Sequence, residues 1–155
     1  MVQVAAAVEA FEATTPLLAD PALSNRWRCE QRSGILAARL HLLAGGAGDA
    51  LTRAGEVADL AAARGDVRYA TIARLMHARA QARMGGAVDE QQVHAHLERL
   101  PEVAAIEAWW LAADVAVDTG LQHGLTVARS AAVQLRKHAG VHRVDFERAA
   151  AGVLT

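Results

Sequence analysis

Trp109-Trp110-Leu111-Ala112-Ala113-Asp114-Val115-Ala116-Val117-Asp118-Thr119-Gly120 is the stretch whose reading decides the fold. Trp109, Ala112, Ala113 and Ala116 recur at i, i+3, i+4 and i+7, so one helical face carries a single large ring followed by small side chains. A face of that shape lets a second helix approach closely. Gly120 supplies a left-handed cap that turns the chain back, and Leu121 to His138 is a second helical run closed by Gly140. The expected product is a helix hairpin.

Working outward, the chain breaks at regular intervals. The helix stops at Gly45/Gly46, Gly85/Gly86 and Gly120 form one series, and those at Gly65, near Leu100 and at Gly140 form another. Each advances by about 35 to 40 residues, the period of helix-turn-helix arrays. One hairpin cannot bury its apolar face alone, so successive pairs must lean on one another.

The segments between the stops read as helices throughout. Val2 to Ala13 is the first, with Val4, Val8 and Phe11 facing inward, ended by Thr14-Thr15-Pro16 because the residue before proline is pushed from the α region. Asp20-Pro21, Ser24 or Asn25 opens the second, which runs to about Ala44 through Trp27, Ile35, Leu36, Leu40 and Leu43. Gly34 inside it weakens it by roughly 1 kcal/mol against alanine. Asp49 is the expected cap of the third helix, with Leu51, Ala54, Ala58 and Ala61/Ala62 on its inner face. Asp66 caps the fourth, Val67 to Met84. Asp89 caps the fifth with Gln92 as capping-box partner, and Val93, Leu97 and Leu100 form its stripe. Pro101 and Glu102 suit the first turn of the sixth. A short helix from about Arg143 to Ala151 follows the seventh.

The third hairpin, with Trp109, Ala112, Ala113, Ala116, Gly120 and then Ala132, resembles a tetratricopeptide repeat; the second matches through Ala78, Ala82, Gly85/Gly86 and Leu97. The first keeps the alanines and glycines without regular spacing. The resemblance covers residues 25 to 140 and is similar to the degenerate repeats in the C-terminal regions of large bacterial ATP-binding transcriptional regulators. It implies an all-α, right-handed solenoid of stacked antiparallel hairpins, with seven to eight helices in one repeat domain over 1–155. The expected divisions are an N-terminal helix and link (1–22), helix pairs at 23–66, 67–100 and 101–140, and a short C-terminal helix (141–155). In such solenoids the first helix of each pair lines the groove. That places Arg74, His77 and Gln81 on the fourth helix, and Trp110 and Asp114 on the sixth, as partner-binding candidates.

Composition narrows the function. Net charge is −1, so there is no overall basic field for a phosphate backbone, and aromatics at 4% leave few rings for base stacking; both argue against nucleic acid. Apolar residues reach 53%, yet no run approaches the ~20 needed to cross a bilayer. The single Cys29 excludes an internal disulfide, and with no secretory leader the expected location is cytoplasmic. The ending Ala149-Ala150-Ala151-Gly152-Val153-Leu154-Thr155 lacks a clearly polar capping helix and suits a piece of a larger protein or a buried terminus.

Candidate chemistry is sparse. Among seven histidines, His94 and His96 point about 200° apart on a helix, so they cannot share an ion. Glu90/His94 and His138/His142 are spaced for chelation but no further spacing supplies a third and fourth ligand. Asp114 and Asp118 are a carboxylate pair four apart, without a neighbouring nucleophile, and read as a solvated face or as arginine partners. Arg28, Arg32 and Arg39, with Arg64, Arg68 and Arg74, offer a surface to an acidic peptide or nucleic acid, but with few aromatics and no net positive charge they read as solvated arginines. Ser130 and Cys29 lack the context of a catalytic nucleophile, and no phosphate-binding glycine loop is present. The expectation is therefore a non-enzymatic module, without metal or cofactor, that binds a peptide or partner helix in its groove or forms a homodimer. The other reading is a small-molecule-sensing domain with Trp109, Trp110, Met76 and Met84 around an apolar pocket.

Overall fold

A computed structural model describes residues 2–13, 16, 25–138 and 148–154, and these residues form eight helices with no strand. They are α1 (Val2–Glu12), α2 (Arg26–Ala44), α3 (Ala47–Ala63), α4 (Val67–Arg83), α5 (Glu90–Val103), α6 (Ala105–Thr119), α7 (His123–His138) and α8 (Ala151–Leu154). The expected helix start at Asp20-Pro21 or Ser24, the stop at Gly140 and most of the helix near Arg143 to Ala151 fall outside the described residues.

Several boundaries follow from local chemistry as read. The Asp66 carboxylate accepts a hydrogen bond from the Tyr69 backbone N–H at 3.1 Å, and Asp89 accepts one from that of Gln92 at 3.0 Å. Positive-φ glycines at 45, 65, 85 and 120 follow α2, α3, α4 and α6. Other boundaries differ. Asn25 stands at the N-cap of α2, one of the expected starts, but with φ 61 and no side-chain capping bond, and Gly46 rather than Asp49 caps α3, leaving Asp49 in its first turn. Pro101 lies inside α5 and α6 begins at Ala105. Its ring removes one N–H from the last turn of α5, and the Ala104 N–H still reaches the Leu100 carbonyl at 2.8 Å, so the helix continues past it.

The buried faces show which pattern decided packing. Val93, Leu97 and Leu100 of α5 are buried as read. On α2 the buried residues are Gln31, Ala37, Ala38 and Leu42, while Leu36 and Leu43 are exposed: the inner face is marked by two alanines and Leu42, not by the leucines the sequence pointed to. On α6 the centre of burial is Ala108, Leu111, Ala112 and Val115, and Trp109 sits half-buried at its edge. α4 is buried on most of its circumference, through Thr71, Ile72, Ala73, Leu75, Met76, Ala78, Arg79 and Ala80.

Among the described residues of α2 to α7, every substantial helix–helix contact joins elements adjacent in order or one apart: α2 with α3 and α4, α4 with α3, α5 and α6, α6 with α5 and α7, and α7 with α5; α8 packs on α6 and α7. α1 meets α2. Two crossings are close enough to require glycine. A methyl group on Gly34 of α2 would overlap the Val57 side chain of α3, and a Cβ on Gly124 of α7 would lie 2.6 Å from the Ala112 carbonyl oxygen and 3.0 Å from Ala116 Cβ of α6. The small residues of α6 thus admit the backbone of α7. Gly124→Ala is expected to destabilise the protein by about 1–3 kcal/mol in urea unfolding. Gly48→Ala, which enters open space in the first turn of α3, should be neutral or stabilising by up to about 1 kcal/mol. Equal effects of the two changes would contradict this account of the crossing.

Candidate functional site

α4 carries four arginines, and all four leave their own helix to bind another. Arg68 donates to Glu107 of α6 at 2.7 Å, and Arg74 donates to Asp59 of α3 at 3.0 Å. Arg79 donates through Nε to Asp118 at 2.7 Å and pairs through Nη1 with Asp114 at 2.9 Å. Arg83 donates to the other Asp118 oxygen at 2.8 Å and to the Leu42 carbonyl of α2 at 2.7 Å. The Arg79 side chain is only 4% exposed and that of Asp118 only 6%. A charge so far from water must be paired, and here one carboxylate takes two guanidinium groups. All four arginines therefore tie helices together: Arg68 and Arg74, read as solvated, are exposed as well as paired, whereas Arg79 is buried. The Asp114/Asp118 pair takes the arginine-partner alternative.

Beside this cluster the Arg39 guanidinium of α2 lies 3.9 Å from the ring centroid of Trp110 on α6, a cation–π contact that spans α4. Trp110 is half-buried against the core and Asp114 lies one turn further along α6. Burial pushes the Asp114 carboxyl above its ordinary value; Asp118 adds to the shift, and Arg79, Arg39 and Arg83 oppose it. Exposed aliphatic side chains flank this centre: Leu36 and Leu43 on α2, and Ile106 and Val117 on α6, the last two 69% and 79% exposed. Ile106, Trp110, Ala113 and Val117 fall on one stripe of α6.

Arg74, His77 and Gln81 are brought together, but elsewhere. They line a cavity of about 140 Å³ with Gln92 and His96 of α5, and Arg74 is held there by Asp59 of α3. That face of α4 is turned away from Arg79, so the five sequence candidates form two sites on different sides of α4. The row of α4 that meets α6 is Ile72, Met76, Arg79 and Arg83, two positions round the helix from Arg74, His77 and Gln81. The signal for it was an arginine within an apolar helical row, matched by carboxylates four apart on α6.

Of the four residues read around an apolar pocket, Met76 is buried in the core against which Trp109 and Trp110 pack, and Met84 is 57% exposed. A groove of about 280 Å³ lies between α5, α6 and α7, lined by Pro101, Ala105, Ser130, Ala131, Gln134 and Leu135. No described helix is long and apolar enough to cross a membrane. No family model, curated protein or solved structure matches the chain.

The second cluster gives a pH dependence. Burial lowers the pKa of His77 and of His96 below the ordinary 6.5; Arg74 adds to both, Arg99 adds at His96, and Asp59 opposes at His77. Both imidazoles hold a proton less tightly in the folded chain than in the unfolded one. The stability present above pH 6.5 should therefore be lost as pH falls through that value toward the folded pKa values. Urea midpoints measured above and below pH 6.5 should show the protein less stable on the acid side, and His77→Gln with His96→Gln should flatten the response. An unchanged slope in the double variant would remove these two groups as its source.

Proposed function

We propose that this chain is a tetratricopeptide-like, right-handed stack of antiparallel helix hairpins that binds a peptide or partner helix on the face formed by α2, α4 and α6. It acts without catalysis. Three observations support the stack. Contacts run between neighbours and next neighbours, the C-terminal ends of α2, α4 and α6 converge at Arg83 through Leu42 and Asp118, and Arg83 and Asp118 are 35 residues apart, within the range of the glycine period.

The single observation that carries the binding role is the pairing of Arg39 with Trp110 between two exposed aliphatic rows. A half-buried tryptophan under a guanidinium offers a rigid apolar surface with a polar edge, the composition enriched at interface hot spots. Leu36 and Leu43 on one side, with Ile106 and Val117 on the other, present apolar area to an amphipathic helix laid across them. The site residues on this reading are Arg39, Trp110, Asp114, Ile106 and Val117. Arg74, His77 and Gln81 lie outside it.

Selection from a displayed library of helical peptides tests the reading. Enriched peptides should bind the intact chain in the micromolar range, with a change in tryptophan fluorescence. Ile106→Asp and Val117→Asp, at exposed positions that leave the fold in place, should each weaken binding about tenfold or more. Enriched peptides indifferent to both changes, or no enrichment together with no self-association at high micromolar concentration, would overturn it.

A further inference from the structure

The arginine ties of α4 reach α2, α3 and α6, and none of them reaches α5 or α7. A different group of polar side chains joins those two helices. His94 and Glu98 stand four apart on α5, with His94 Nε2 3.3 Å from a Glu98 oxygen. His123, in the first turn of α7, stacks its ring on that of His94 with centroids 3.9 Å apart and planes inclined by 27°. One ligand atom from each of the three residues lies within 4.8 Å of the others. His123 Nε2 is buried and has no hydrogen-bond partner.

We propose that His94, Glu98 and His123 form a binding site for a divalent transition-metal ion of the zinc class, which clips α5 to the start of α7. Two imidazole nitrogens and one carboxylate oxygen are the donor types that Zn²⁺ takes in three-ligand sites, with water or a further group in the fourth position. Hard cations such as Mg²⁺ and Ca²⁺ prefer sets made of oxygen alone. Bond lengths near 2.0–2.2 Å would require the three donors to close inward by about an ångström each, and the two rings to tilt out of their stack. His94 and Glu98 are mostly exposed on α5, so their side chains are free to make that movement while the half-buried His123 stays fixed. The orphaned His123 nitrogen supplies the second observation: a buried acceptor or donor without a partner is costly, and coordination would satisfy it. Sequence reading paired His94 with Glu90 and stopped there, because His123 lies beyond the whole of α6.

The test uses the intact chain with ZnCl2, and MgCl2 and CaCl2 as controls, followed by calorimetry and thermal unfolding. Zinc should bind one per chain and raise the melting temperature in step with its free concentration, and magnesium and calcium should do neither. His94→Ala and Glu98→Gln, at exposed positions, and His123→Ala should each weaken zinc binding by about tenfold or more, at least the loss that follows removal of an outer-shell partner. His96→Ala, on another side of α5, should bind zinc as the parent does. Circular dichroism checks that each variant is folded; should His123→Ala fail, the two exposed variants decide. Absence of saturable zinc binding, or binding that survives His94→Ala and Glu98→Gln in folded protein, would overturn the proposal.

Discussion

A buried guanidinium fixes the centre of this structure. Arg79 stands in the most enclosed of the described helices, among Ile72, Leu75 and Met76, where a free charge would be strongly unfavourable. It is tolerated because Asp118 and Asp114 descend from α6 at matched helical spacing. Asp118, itself buried, then takes Arg83 as well, and Arg83 closes the cluster onto the end of α2 through the Leu42 carbonyl. Three helices that are not consecutive in the chain are thereby held in one alignment. Hydrophobic contact alone, being non-directional, would leave their relative sliding weakly defined. The ionic cluster defines it, in the way that buried polar groups set register elsewhere.

Around that centre, small side chains control how near the helices come. Ala112 and Ala116 on α6 face Gly124 on α7, and Gly34 on α2 faces Val57 on α3. Alanine has no side-chain entropy to lose and leaves room for a neighbouring backbone, which suits a chain so poor in aromatics. The larger apolar residues divide between two tasks. Leu42, Ile72, Leu75, Leu97 and Leu111 fill the interior, whereas Leu36, Leu43, Ile106 and Val117 stay outside on the face that carries Trp110.

What could be read in advance was whatever is decided by a few neighbouring residues. The caps at Asp66 and Asp89, the stops at Gly85 and Gly120, the inner stripe of α5 and the absence of strand among the described residues are of this kind. What escaped depends on partners far away in the chain. The inner face of α2 was assigned to its leucines, because hydrophobicity outranks alanine in a single helix; only contact with α3 and α4 turns Ala37 and Ala38 inward. Arg74 and Arg79 are indistinguishable as residue types, and it is the position of α6 that makes one a tie within the core and leaves the other beside a polar cavity. Pro101 resembles a helix start locally, yet α5 runs through it and ends at Val103, before α6 begins at Ala105. His94 and His123 meet only because α6 turns the chain back upon α5.

The central claim is that the Arg79–Asp118 pair aligns α4 with α6 and is not an incidental contact. A double-mutant cycle with Arg79→Met and Asp118→Leu, read by urea unfolding, addresses it directly. Arg79→Met leaves Asp118 with Arg83 alone and Asp118→Leu leaves Arg79 with Asp114 alone, so each single replacement should cost about 2–3 kcal/mol, less than a fully stranded charge, while the double replacement should cost less than the sum. Additive losses, or single losses below about 1 kcal/mol, would show that the helices hold their alignment without the pair.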